Sequence, residues 1–181
     1  MDRSYEDDHE AFAGSRVDQY VYVPTKEKKK KDPHGDGDND SKSAVAAANA
    51  AAGDEGNTIY SVLDQHADTL DGDVKPPLVI YGDTGSGKTA LFANWLARRR
   101  EHNHREEFLF QHYVGCSKDS FQLSQMLIRL ETKLKEKFQL REMIVPETEH
   151  DLRWSLGRFL LAASKKGSPA RIVIIIDGVH Q

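Results

Sequence analysis

The residues with the most chemistry in this chain are eight in a row: Gly82, Asp83, Thr84, Gly85, Ser86, Gly87, Lys88 and Thr89. They satisfy every fixed position of the phosphate-binding P-loop pattern, a glycine, four free positions, then Gly-Lys-Thr or Gly-Lys-Ser. Glycines let the backbone curl around an anion in conformations that a Cβ hinders. Successive N–H groups then converge on a phosphate, aided by the positive N-terminal end of the following helix. Lys88 would place its charge on the β- and γ-phosphate oxygens, and the Thr89 hydroxyl would ligate Mg²⁺. Asp83, Thr84, Gly85 and Ser86 shape the loop. The ligand this chemistry suits is a nucleoside triphosphate with Mg²⁺, ATP in the first place. The competing reading is a glycine-rich turn with an incidental lysine. The setting speaks against it, because the octet follows a short apolar run and opens a helix-periodic segment.

A second signal lies about 90 residues downstream. Arg171-Ile-Val-Ile-Ile-Ile-Asp177 is an aliphatic run ending in an acid. This is the Walker B form, in which the strand lies beside the P-loop strand and the terminal carboxylate reaches the Mg²⁺ shell. Alone, Asp177 could equally cap a turn with Gly178. Hydrolysis needs a further group that orients or deprotonates water. Gly178 stands where an acid would be convenient, and the next polar groups are His180 and Gln181. His180 is the candidate catalytic base; the alternative is that both residues begin a surface helix.

Three other patterns imitate sites. Asp36-x-Asp38-x-Asp40 resembles the start of an EF-hand loop, but Ser41 replaces its glycine and Ala47 its bidentate glutamate. The basic run Lys28–Lys31 reads as solvated rather than as a targeting signal. His102-x-His104 points its side chains to different sides, which suits a surface turn better than a metal.

The elements needed to position the P-loop are legible from periodicity. Residues 1–57 carry 13 acids and 8 bases, with few apolar residues outside Val17–Val23 and an alanine run at Ala44–Ala52. Such a composition predicts disorder. From Thr58 onward the charge is balanced, 16 acids against 17 bases. Ile59, Val62, Leu63, His66, Ala67 and Leu70 mark a helix face. Pro76-Pro77 lead into a short strand, Leu78–Tyr81, and then the P-loop. A helix over Lys88–Arg100 with Leu91, Phe92, Trp95 and Leu96 inward comes next. It is followed by a strand at Phe108–Val114 and a helix over 118–138 bearing Leu123, Met126, Leu127, Leu130 and Leu134 on one face. Thr148-Glu149-His150-Asp151 resembles a capping box opening a helix with Leu152, Leu156, Phe159, Leu160 and Ala163 inward, ended by Gly167 and Pro169. Ile172–Ile176 reads as a strand buried on both faces of a parallel sheet. The alternation predicts a P-loop three-layer α/β fold with a parallel sheet of about three strands over 58–181, preceded by a disordered region over 1–57. The single cysteine, Cys116, and the lack of any long apolar run or signal sequence point to a cytoplasmic protein. A net charge of −4 gives no reason to expect nucleic acid.

The stretch from Thr58 to Gln181 resembles the N-terminal NTPase region of nephrocystin-3-like proteins, in the NACHT-like branch of the STAND P-loop ATPases. The resemblance is carried by Pro77–Leu96, by Gln111-His-Tyr-Val-Gly-Cys-Ser117 and by Ile174-Ile-Ile-Asp-Gly-Val-His-Gln181. It implies an ATP-operated switch whose C-terminal repeats hold protein partners, with residues 82–89 on the phosphates and Thr89 and Asp177 on Mg²⁺. It also implies an association with cilia in some relatives. NACHT-like proteins usually have an acid three positions after the Walker B Asp, and here that position is His180. The resemblance further implies that the chain holds only the first part of such a module, with the remaining strands and repeats beyond Gln181. Two alternatives stand beside it: a non-hydrolysing nucleotide-binding scaffold and a nucleoside kinase.

Overall fold

Most of the amphipathic helices and two of the aliphatic strands expected from periodicity are formed. The computed structural model describes residues 3–19, 59–69, 76–102, 107–166 and 171–179. In chain order these form α1 (Arg3–Gln19), α2 (Ile59–Asp68), α3 (Lys88–His102), β1 (Glu107–Tyr113), a 3-10 turn at Asp119–Phe121, α4 (Leu123–Lys137), α5 (Glu149–Ser164) and β2 (Arg171–Asp177). The chain divides into two compact units, Met1–Val21 with Thr89–Gln181, and Tyr22–Lys88.

In the first unit β1 and β2 pair in parallel, with Glu107 opposite Arg171 and Tyr113 opposite Asp177. The connection between them carries α4 and α5, as a parallel pair requires a crossover. Phe108, Phe110 and Ile172 share one face of this sheet. They pack with Met126, Leu127, Leu130 and Leu134 of α4 and Leu152, Phe159 and Ala163 of α5. From the opposite face Tyr113 meets Ala93 of α3 and Ala13 of α1. Helices thus lie on both sides of a parallel sheet, the α/β arrangement that the alternating pattern implies.

Local signals explain several boundaries. The Thr148 hydroxyl accepts the Asp151 N–H at 3.2 Å, a side-chain cap for α5. Asp151 takes the third capping position without the reciprocal bond of a full box; its carboxylate instead accepts from the Thr148 hydroxyl at 2.7 Å. A buried ion pair ties α3 to β1, with Arg99 donating to both carboxylate oxygens of Glu107 at 2.8 Å. Such two-pronged pairing satisfies a guanidinium that would otherwise be costly to bury.

The structure departs from the sequence reading in four places. Residues 3–19 form a helix rather than disordered chain, and α1 joins the first unit. Its anchor is His9, fully buried although polar, which a count of apolar residues does not register. Leu78–Tyr81 forms only an isolated bridge at Val79, and the sheet described here has two strands rather than three. Pro76 and Pro77 withhold backbone donors from this segment, and Val79 and Tyr81 are exposed. Ile174 and Ile176 are also exposed, so β2 is not buried on both faces; β1 is its one partner among the described residues. Leu123 lies outside the α4 core, because the 3-10 turn precedes the helix and leaves Leu123 as its first residue. The remaining stretches singled out in residues 20–57, with Thr58, Leu70, His104, Gly167, Pro169, His180 and Gln181, lie outside the described residues.

The core is testable at α5. Phe159 has no exposure, whereas Trp154 is 74% exposed. Phe159→Ala should cost about 3–5 kcal/mol, and Trp154→Ala within about 0.5 kcal/mol, as measured by urea denaturation followed by circular dichroism.

Candidate functional site

The phosphate-binding octet falls on both sides of the unit boundary, and its two parts are described separately. In the unit ending at Lys88 the loop turns at Asp83, whose carbonyl accepts the Ser86 N–H at 3.1 Å. Gly85 and Gly87 hold φ of 82° and 86°, the left-handed region that side chains with a Cβ resist. Lys88 curls back over this loop. Its Nζ donates to the Gly82 carbonyl at 2.7 Å, the Asp83 carbonyl at 2.9 Å and the Ser86 hydroxyl at 3.3 Å. All three ammonium donors are therefore directed at the loop, and they are the donors an anion held there would engage.

In the other unit the Thr89 hydroxyl donates to Asp177 Oδ2 at 2.6 Å. Thr89 sits in the first turn of α3 and Asp177 ends β2, 88 positions later. The bond thus brings together the two side chains that the sequence analysis assigns to Mg²⁺. Asp177 is fixed from behind, because its carbonyl accepts the Val114 N–H at 2.9 Å. A hydroxyl and a carboxylate at this separation are the hard oxygen donors that Mg²⁺ prefers. Within the unit ending at Lys88 the left-handed glycines and the inward lysine suit the phosphates of a nucleoside triphosphate, and within the other unit the oxygen pair suits Mg²⁺. Gly85, Gly87, Lys88 and the backbone of residues 82–88 would hold the phosphates, and Thr89 and Asp177 the cation.

The structure also accounts for the missing acid after Asp177. Gly178 has φ 82°, and a Cβ built on it would meet the Val114 carbonyl oxygen at 3.0 Å and Val114 Cβ at 3.2 Å. A side chain there would be strained by this φ and would need Val114 to give by a few tenths of an ångström. His180, the alternative base, lies outside the described residues.

Sequence reasoning missed one cluster next to these elements. His9 of α1, His112 and Tyr113 at the end of β1, and Cys116 in the following loop meet in the first unit. His9 and His112 ring centroids are 4.7 Å apart, and Cys116 Sγ is 3.2 Å from His9 Nδ1. Burial drives both imidazoles toward the neutral form, with His9 lowered to about 3 and His112 to about 4. Burial likewise raises the Tyr113 hydroxyl and the Cys116 thiol. His112 and Cys116 were visible within a quoted family stretch, but nothing local marked His9 as their partner.

The fold and the paired motifs define a P-loop NTPase-like domain. Residues 62–181 match the model of an ATPase domain family found predominantly in Archaea. That match covers two thirds of the chain, and the chain belongs to this family. Membership implies nucleotide binding, usually with Mg²⁺. Over 70 residues the chain is also 34% identical to a TPR repeat-containing protein of Dictyostelium discoideum. The similarity covers 39% of this chain and 4% of that protein, so the chain spans a small fraction of the length of its curated relative. No solved structure matches the chain. Among the described residues no helix is long and apolar enough to cross a membrane, and no group of three or more metal-binding side chains occurs.

Two glycines provide a matched test of the loop geometry. Gly178→Ala should destabilise by about 1–3 kcal/mol, because both φ and space oppose a Cβ. Gly157→Ala, on an exposed face of α5 with nothing within 4 Å, should stabilise by up to about 1 kcal/mol. Thermal melts of the two variants beside the parent protein read the difference.

Proposed function

We propose that this chain binds MgATP as the nucleotide-sensing part of a NACHT-like, STAND-type switch. The observation that carries the nucleotide reading is the 2.6 Å bond from Thr89 to Asp177. It joins the hydroxyl that would bind the cation in one motif to the carboxylate that would bind it in the other. Lys88, adjacent to Thr89, supplies the positive charge that the phosphates require. ATP bound there would bring the charge and the cation that replace the present internal bonds of Lys88 and Thr89. Exchanging those bonds for ligand bonds gives the protein two arrangements at α3 and β2, the minimum that a switch needs.

The switch reading is supported by the likeness to a TPR repeat-containing protein. In that reading protein partners bind repeats elsewhere in the full protein, and the present chain supplies the nucleotide-dependent bias. Gly178 favours a second reading, binding without efficient hydrolysis. Its crowded, left-handed backbone disfavours the acid that would most directly prepare water. His180 is then the remaining candidate base, and hydrolysis depends on it.

Lys88→Ala should weaken MgATP binding at least tenfold, about 1.4 kcal/mol, in titration calorimetry on the 181-residue chain. Unchanged affinity would overturn the nucleotide reading. ATP turnover measured in parallel separates switch from scaffold. Turnover above the Lys88→Ala background that disappears in His180→Ala supports slow hydrolysis through His180. Binding with no turnover supports the scaffold.

A further inference from the structure

Helix α5 carries apolar residues on two sides. Its inner side holds Leu152, Phe159 and Ala163, all in the core of the first unit. At 3.6 residues per turn, His150, Trp154, Gly157, Arg158 and Leu161, with the helical C-cap residue Lys165, fall in one stripe about 100° wide on the opposite side. All six are exposed. A solvated helix face carries charged and polar residues. This one carries Trp154 at 74% exposure and Leu161 at 58%, two turns apart along the stripe. The His150 ring lies 6.4 Å from the Trp154 ring and extends the ridge toward the start of the helix.

Between Trp154 and Leu161 sits Gly157. Glycine is among the poorest helix formers, so a glycine inside a helix calls for a reason. The packing of the chain on itself supplies none. Gly157 does not hold a positive φ, and a Cβ built on it would meet nothing within 4 Å. The glycine does leave a notch in the exposed stripe, with an indole on one side and a leucine on the other. The positions 154, 157 and 161 follow the alternating three- and four-residue steps of a helix-pairing seam. In such a seam a side chain of the facing helix enters the hole between its neighbours.

The charges beside the seam select the partner. From Leu152 to Lys166 the chain holds Arg153, Arg158, Lys165 and Lys166 and no acid. Arg153 is paired with Glu149 at 2.7 Å. Arg158 and Lys165 stand beside the seam with no acid one turn away on their own helix. Residues that flank a helix seam set partner choice by charge. Two copies laid along this stretch would bring cations against cations. Glutamates or aspartates flanking an apolar seam would match it.

We propose that the outer face of α5 is a docking surface for an acidic amphipathic helix of a partner protein, with Gly157 as the notch that admits a partner side chain between Trp154 and Leu161. The surface lies wholly within α5 and does not rest on the nucleotide reading.

Trp154 is the reporter. Of the two tryptophans Trp95 is buried, so a blue shift of emission reads the covering of Trp154. The 181-residue chain is titrated with a helical peptide of about three heptads, bearing leucine at the seam positions and glutamate at the flanking ones, and with a twin bearing lysine there. The glutamate peptide should shift the emission saturably and bind at least about tenfold more tightly than the lysine peptide. Leu161→Ala should weaken that binding about tenfold. Gly157→Leu separates docking from stability. It should melt no lower than the parent, since leucine is the better helix former, yet bind the glutamate peptide at least about tenfold more weakly because the notch is filled. No shift with the glutamate peptide, equal affinity for the two peptides, or unchanged affinity in Gly157→Leu would each overturn the proposal. So would a Trp154 shift produced by phosphatidylserine vesicles, by an RNA oligonucleotide or by self-association of the chain when the glutamate peptide produces none.

Discussion

One hydrogen bond carries more of this structure than its size suggests. Thr89 and Asp177 lie 88 positions apart, yet the hydroxyl of one meets the carboxylate of the other at 2.6 Å. For this to occur α3 must start where β2 ends. That alignment needs the β1–β2 register, with Tyr113 opposite Asp177. It also needs the Arg99–Glu107 pair that ties α3 to the start of β1. The register in turn depends on the crossover through α4 and α5, whose leucines and phenylalanines cover one face of the strands. The core thus serves the site by fixing the distance between two short motifs.

Polar burial is the second theme. Arg129 and Glu131 of α4 are almost fully enclosed. Arg129 reaches the Gln111 carbonyl and lies over the Phe110 ring at 4.2 Å. Glu131 accepts from the Ser155 hydroxyl at 2.6 Å, and burial raises its carboxyl toward the neutral form. Arg129 and His9 both reach β1, whose one partner strand among the described residues is β2. A strand at the border of a sheet has backbone groups to satisfy on its outer side. Here side chains from α1 and α4 satisfy them at Tyr113 and Gln111.

Much of this was legible in the sequence. The P-loop is a dense local pattern, and its left-handed glycines follow from the residue types alone. The α4 and α5 faces were readable because 3.6-residue periodicity reports burial directly. The Thr148 cap was readable from its spacing. Three features were not. Helix α1 is polar and docks through His9, so periodicity gave it no face to display. The segment at Leu78–Tyr81 looks like a strand by residue type, but pairing is a tertiary property and two prolines lie at its start. The exposure of Ile174 and Ile176 depends on which neighbours flank β2, and no local pattern contains that. Asp177 lies between these extremes, since its strand was plain but its contact with Thr89 became visible only in three dimensions.

The central proposal is that Thr89 and Asp177 serve one Mg²⁺ of a bound nucleotide, and a double-mutant cycle reads this directly. MgATP affinity of the 181-residue chain would be measured for the parent, Thr89→Val, Asp177→Asn and the double variant. If both side chains serve one Mg²⁺, the double variant should lose clearly less than the sum of the single losses, with a coupling of about 1 kcal/mol or more. The single losses should also shrink when EDTA removes the cation. Strictly additive losses that persist without Mg²⁺ would contradict the account.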